Sequence, residues 1–238
     1  MAKIEGGNKR NAIPREAEAI VWLPKAKAAA ASDLIGRLNT VIKAEFATVE
    51  PGLVIACQPQ KNVRKVFTRG LQKKVLLALA GLPHGVLKMS PDIEALVETS
   101  TNLAIVQTDK KAITVQTSQR SSVASEIEEA SQMVRAVLEL GGAAATGSDG
   151  YPGWKPNMAS PVLQLARDTY KSLYGKDPEI KAVHAGLECG IIGEKYPGMD
   201  MVSFGPTMRE VHSPAEHLYI DTVEKFHAFL LGILKNVK

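Results

Sequence analysis

The sequence predicts a two-part protein, an α+β region followed by an α/β layer, and three observations carry that reading. Residues 1–146 hold two successive groups of short apolar strands, each arranged around a helix with an apolar stripe. The glycine- and proline-rich passage from Gly147 to Pro156 then breaks the pattern. Beyond it, helices and short strands alternate, the order expected of an α/β layer. The expected division is therefore 1–157 and 158–238.

Lys3 to Glu5 reads as a strand ended by Gly6 and Gly7, and Ala17 to Leu23 as a second, bounded by Pro24. A helix is expected from Ala26 to Val49, where Leu34, Leu38, Val41, Ile42, Phe46 and Val49 recur at helical spacing in an alanine-rich stretch. Pro51 and Gly52 stop it, and Leu53 to Cys57 follows as a short buried strand. The next helix runs from about Val66 to Ala80 and is closed by Gly81 to Pro83. Thr101 to Gln107 and Ala112 to Thr117 read as strands joined by a tight turn. Ser122 to Leu140 is a helix with the stripe Ile127, Ala130, Val134, Val137 and Leu138, and Ala143 to Thr146 is a weak final strand. Two such units suggest a pair of small ferredoxin-like antiparallel sheets with helices.

In the second part, Ser160 and Pro161 start a helix that Gly175 stops. Ile180 to Val183 and Met199 to Gly205 read as short strands with a short helix between them. The last helix begins at Asp221, whose spacing to Glu224 is that of a capping box.

Composition excludes several classes of function. With 45% hydrophobic and 23% charged residues, the 238-residue chain can bury a core and is not disordered. The net charge of +4 comes from lysines and arginines mixed with acids, and aromatics are only 5%, so no nucleic-acid partner is expected. Cys57 and Cys189 lie far apart, which excludes a disulfide framework or a cysteine-based zinc knuckle. No apolar run reaches the roughly 18 residues of a membrane span, and the start lacks a signal-peptide core. A cytoplasmic setting without a membrane partner is the expectation.

The stretch from His184 to Pro214 concentrates the residues that carry chemistry. His212 lies in a loop just past an expected strand, a position suited to a metal ligand or a base, although a lone histidine is commonly structural. Three blocks in this region, His184 to Gly190, Tyr196 to Pro206 and His212 to Pro214, together resemble the C-terminal part of the aminoacyl-histidine dipeptidases. These are zinc metallopeptidases also called peptidase D or cytosol non-specific dipeptidases. Gly6 to Ala17, Val97 to Asn102, and Tyr151 to Trp154 resemble the same family in the same order.

The resemblance implies a lid domain, in residues 1–157, that can pair two copies of the chain, followed by the closing part of a zinc-peptidase α/β domain. It also implies two zinc ions in a complete enzyme acting on Xaa-His and related dipeptides. Most ligands and the general base would then precede Met1, and His212 would be the one zinc ligand here. Arg120 falls where related enzymes hold the substrate carboxylate; its alternative is a surface charge at a helix start. Asn102 matches a lid asparagine able to bond the scissile carbonyl, or else is a strand-end residue. Glu188 either receives the substrate ammonium or serves as a helix-start carboxylate. His184 is expected to be structural, Cys189 a packed residue, and His84, His217 and His227 to have no role. One histidine cannot hold paired metals, so the chain by itself is expected to be inactive. An open edge on the C-terminal piece should associate. The competing reading is a non-catalytic ferredoxin-like dimerisation module.

Overall fold

The computed structural model describes residues 1–238 except 62, 64, 92, 149, 151, 155–156, 182–187, 212–214 and 238. The protein is a mixed α/β fold whose chain divides into two compact units. The first comprises Met1–His84, Asn102–Ser118 and Met133–Ala145; the second comprises Gly85–Thr101, Gln119–Gln132 and Thr146–Lys238.

Five strands, β1 (Lys3–Gly6), β2 (Ala17–Ile20), β3 (Gly85–Met89), β4 (Val97–Thr108) and β5 (Ile113–Ser121), form one sheet in the order β2-β1-β4-β3, with β5 also pairing β4. This corrects the expectation of two small sheets. The reason is the length of β4, 12 residues, which takes β1 at Val106 and β3 along Val97 to Thr101.

In the first unit, β1 and β2 run antiparallel from Lys3 opposite Ile20 to Gly6 opposite Ala17. Lys3 bridges Glu5 and Glu18 across this pair, which raises the lysine pKa, chiefly through the bond to Glu18. The Thr108 hydroxyl clamps β1 onto β4: it accepts from the Ile4 N–H at 3.1 Å and donates to the Ile4 carbonyl at 2.8 Å. Helix α1 (Ala28–Glu45) follows a short 3-10 turn at Lys25–Lys27. It buries no residue, and Leu34, Leu38 and Val41 stay exposed along it. Helix α2 (Arg69–Gly81) is capped by Thr68, whose hydroxyl accepts from Leu71 N–H, a donor the helix itself leaves unpaired. The expected strand Leu53 to Cys57 is absent. Its backbone is held differently, with Ile55 N–H donating to the Asn39 side chain and Leu53 N–H to the Glu50 carbonyl.

In the second unit, β3 pairs antiparallel with β4, Gly85 opposite Thr101, through an irregular register around Lys88. Helix α3 (Ala124–Leu140) runs through both units. Helix α4 (Pro161–Tyr174) starts and stops where expected: the Ser160 hydroxyl accepts from Leu163 N–H, and Gly175 ends it at φ 69. Helix α5 (Glu188–Lys195) is short, and helix α6 (Asp221–Asn236) closes the fold. Asp221 is the first helical residue rather than the cap, and Ile220 occupies the cap position without a side-chain bond, so the expected capping box does not form. Helices α4 and α6 pack closely enough that a Cβ on Gly232 would come 2.8 Å from Thr169 and 3.1 Å from Leu173. Around them Phe229 stands edge-on to Tyr170 at 5.3 Å, and Phe204 lies 4.8 Å from Phe229. Phe204 thus joins an aromatic cluster, and Met199 to Gly205 is an irregular segment rather than the expected strand. Two short strands, β6 (Met208–Arg209) and β7 (His217–Leu218), pair antiparallel. Ala143 to Thr146 forms no strand.

Candidate functional site

Glycine makes close backbone approaches inside both units, and these join the passages singled out in the sequence. In the first unit Gly7, at φ +68, lies so near β4 that an added Cβ would come 1.9 Å from the Ala104 carbonyl oxygen. Only glycine tolerates both that conformation and that contact. The loop it opens is tied to the sheet by Asn102, whose Nδ2 donates to the Ala12 carbonyl at 2.8 Å. The Asn102 Oδ1 is buried and without a partner. Next to it, His84 Nδ1 accepts from Leu103 N–H at 3.0 Å, a structural role for a histidine that sequence reasoning left without one.

In the second unit Pro152 and Gly153 are gripped from two sides. A Cβ on Gly153 would lie 2.5 Å from the Ser121 carbonyl oxygen, and one on buried Gly190 would lie 2.3 Å from the Pro152 carbonyl oxygen. The end of β5 and the first turn of α5 therefore meet at one dipeptide. Arg120, exposed, is one residue before Ser121, and Glu188, exposed, is the first residue of α5. Asn102 belongs to the first unit. His184 and His212 lie outside the described residues.

A cleft of about 390 Å³ opens beside this junction, lined among others by Gly153, Trp154, Asn157, Cys189, Glu194 and Asp200. Among its described lining residues two are acidic and none is basic, a wall that suits a cationic group. Asp200 was not foreseen from the sequence. Its carboxylate accepts from the Ser160 hydroxyl and, at 2.8 Å, from Val162 N–H, closing the N-terminus of α4. The Ser160 bond, then the Val162 and Met201 N–H groups, hold its pKa below the usual carboxylate value. The sequence signal for it was indirect: a helix start at Ser160 and Pro161 with backbone donors left to satisfy. Burial, aided by the nearby Glu188 carboxylate, pushes the Cys189 thiol up, which keeps it protonated and suits a packed residue rather than a nucleophile. Among the described residues no three His, Cys, Asp or Glu side chains gather where they could hold a metal ion. Nor is any helix among them long and apolar enough to cross a membrane.

No protein-family model matches the chain. It is 34% identical over 232 residues to the cytosol non-specific dipeptidase of Escherichia coli (strain K12), covering 98% of this chain and 48% of that protein. The crystal structure of aminoacylhistidine dipeptidase from Vibrio alginolyticus matches it with a TM-score of 0.86 at 37% identity, over 99% of this chain and 48% of that one. The chain thus spans about half the length of the relatives it matches, and over nearly all of its own length it is similar to these dipeptidases.

Proposed function

We propose that this chain, a relative of the aminoacyl-histidine dipeptidases over nearly all of its length, supplies one part of a dipeptidase that hydrolyses Xaa-His and related dipeptides. The observation that supports this is the joint likeness in sequence and fold, 34% identity across 98% of the chain and a TM-score of 0.86. In this reading residues 1–157 are a ferredoxin-like lid through which two copies pair, and residues 158–238 are the peptidase part. The enzyme acts in the cytoplasm, with neither a nucleic-acid nor a membrane partner.

Arg120 takes the substrate carboxylate, because a guanidinium meets both oxygens with parallel donors. Glu188 takes the ammonium end, helped by the acidic cleft beside it. Asn102 commits one amide N–H to Ala12, and in this reading its other N–H is the donor offered to the scissile carbonyl. His212 is the residue of this chain that would hold zinc in a complete enzyme, where a zinc pair would supply an activated water. The described residues alone do not fit such a pair, since no three potential ligands come together among them. In this reading the 238-residue chain by itself is inactive, because one histidine cannot hold a metal pair.

Cleavage of a Xaa-His dipeptide and bound zinc are measured for the pure chain, and for the chain co-expressed with the half of a relative that it does not match. The expected result is no turnover alone, and turnover with bound zinc on complementation, both diminished in His212→Ala. Turnover by the chain alone overturns the inactivity. Complementation that restores neither zinc nor activity overturns the dipeptidase reading in favour of a non-catalytic pairing module.

A further inference from the structure

We propose that Asn102 is a latch: its side-chain amide clamps the loop between β1 and β2, residues 7–16, flat onto β4, and sets the pose in which that loop presents Lys9, Arg10 and Arg15. The loop is fixed at two places. At its stem, Gly7 donates its N–H to the Glu16 carbonyl at 3.1 Å and lies against the Ala104 carbonyl with no room for a Cβ. At its tip, a turn in which Ala12 N–H donates to the Lys9 carbonyl at 3.3 Å turns the Ala12 carbonyl toward Asn102 Nδ2, 2.8 Å away.

Burial at the tip is partial: Ala12 and Pro14 are half-buried, while Ile13 is 78% exposed and Lys9, Arg10, Asn11 and Arg15 all face solvent. A side-chain bond from a residue 90 positions away ties this tip to the sheet. The loop carries three cations against one acid, Glu16, so like charges repel across it.

Of the two polar atoms of the Asn102 amide, Nδ2 makes the bond to the loop, while Oδ1 is buried without a hydrogen-bond partner. An amide is required for this arrangement, because the group must donate to a carbonyl. Asn102 is accordingly a positioning residue for the loop, and this holds whether or not the chain serves a dipeptidase.

The test is backbone hydrogen exchange on the full chain, comparing wild type with Asn102→Ala and Asn102→Asp. In Asn102→Ala the protection of the Ala12 amide is expected to fall about tenfold, as for loss of one hydrogen bond, while amides of α4 and α6 keep theirs. Asn102→Asp keeps the shape but loses the donor at neutral pH. Its loop protection is expected to be low there and to return in acid, where a protonated carboxyl donates O–H to the Ala12 carbonyl. Unchanged loop protection in Asn102→Ala, an equal loss throughout the chain, or no recovery of Asn102→Asp in acid would each overturn the latch.

Discussion

Replacing Gly190 by alanine sets two effects of known size against each other. Alanine is the better helix former by about 1 kcal/mol, so on propensity alone Gly190→Ala within α5 should stabilise. The added Cβ, however, would sit 2.3 Å from the Pro152 carbonyl oxygen and 3.3 Å from its carbon. These are backbone atoms, so the clash cannot be relieved by turning a side chain, and the two segments must separate by about 0.7 Å to reach even the tightest contact that packed interiors allow. Forcing an extra methyl into such a contact costs roughly 1–3 kcal/mol, which outweighs the propensity gain. The expected net effect is a loss of about 1 kcal/mol and retreat of Pro152 and Gly153 from α5. Gly36, inside α1, is the control, because nothing lies within 4 Å of a Cβ there. Gly36→Ala should stabilise by about 0.5–1 kcal/mol. Urea unfolding followed by circular dichroism gives both values. In a Trp22→Phe background the remaining tryptophan, Trp154, lines the cleft beside Gly153 and reports on the junction by its emission. A Gly190→Ala protein as stable as Gly36→Ala, with unchanged Trp154 emission, would refute the close-approach argument.

Other consequences follow from single bonds. Ser160→Ala removes the cap of α4 and is expected to lower stability by about 1 kcal/mol, measurable as a shifted denaturation midpoint at constant slope; an unshifted midpoint would contradict the cap. The folded-state pKa of Asp200 is depressed, first by the Ser160 hydroxyl, so its contribution to stability is full above the unfolded carboxyl pKa of about 3.9 and is lost as pH falls through the lower folded value. Asp200→Asn should therefore lie below wild type in melting temperature near neutral pH, with the gap closing in acid, and a gap constant down to about pH 3 would rule out this linkage. Thr99→Val breaks the buried hydroxyl pair with Ser121, 2.9 Å long, while Ser121 keeps its bond from Val123 N–H. A loss of about 1 kcal/mol is expected in the same unfolding measurement, and no loss would show that the pair contributes nothing.

Features set by near neighbours in the chain were legible in advance. Ser160, Pro161 and Gly175 bound α4 because capping and the left-handed stop act within a turn or two. The turn between β4 and β5 was readable for the same reason: Asp109 accepts from the N–H groups of Lys111 and Ala112, which lowers its pKa. Strand β3 was not foreseen, because most of its residues are exposed and show no alternation of buried and open positions. The expected strand at Leu53 to Cys57 failed because an apolar run becomes a strand only if a partner offers a ladder, and there the Asn39 side chain offered a bond instead.

By itself the sequence determined the local boundaries of the principal helices and, through several motifs in a shared order, the kinship that whole-chain comparison bears out. Tertiary structure alone decided that the strands join in one sheet, that Asn102 holds Ala12, that Asp200 closes the start of α4, and that Pro152 and Gly153 join the ends of β5 and α5. Each of these joins residues tens of positions apart. A donor, an acceptor or a missing Cβ carries no mark in the sequence of the distant atom it will meet, and only packing the chain supplies that partner.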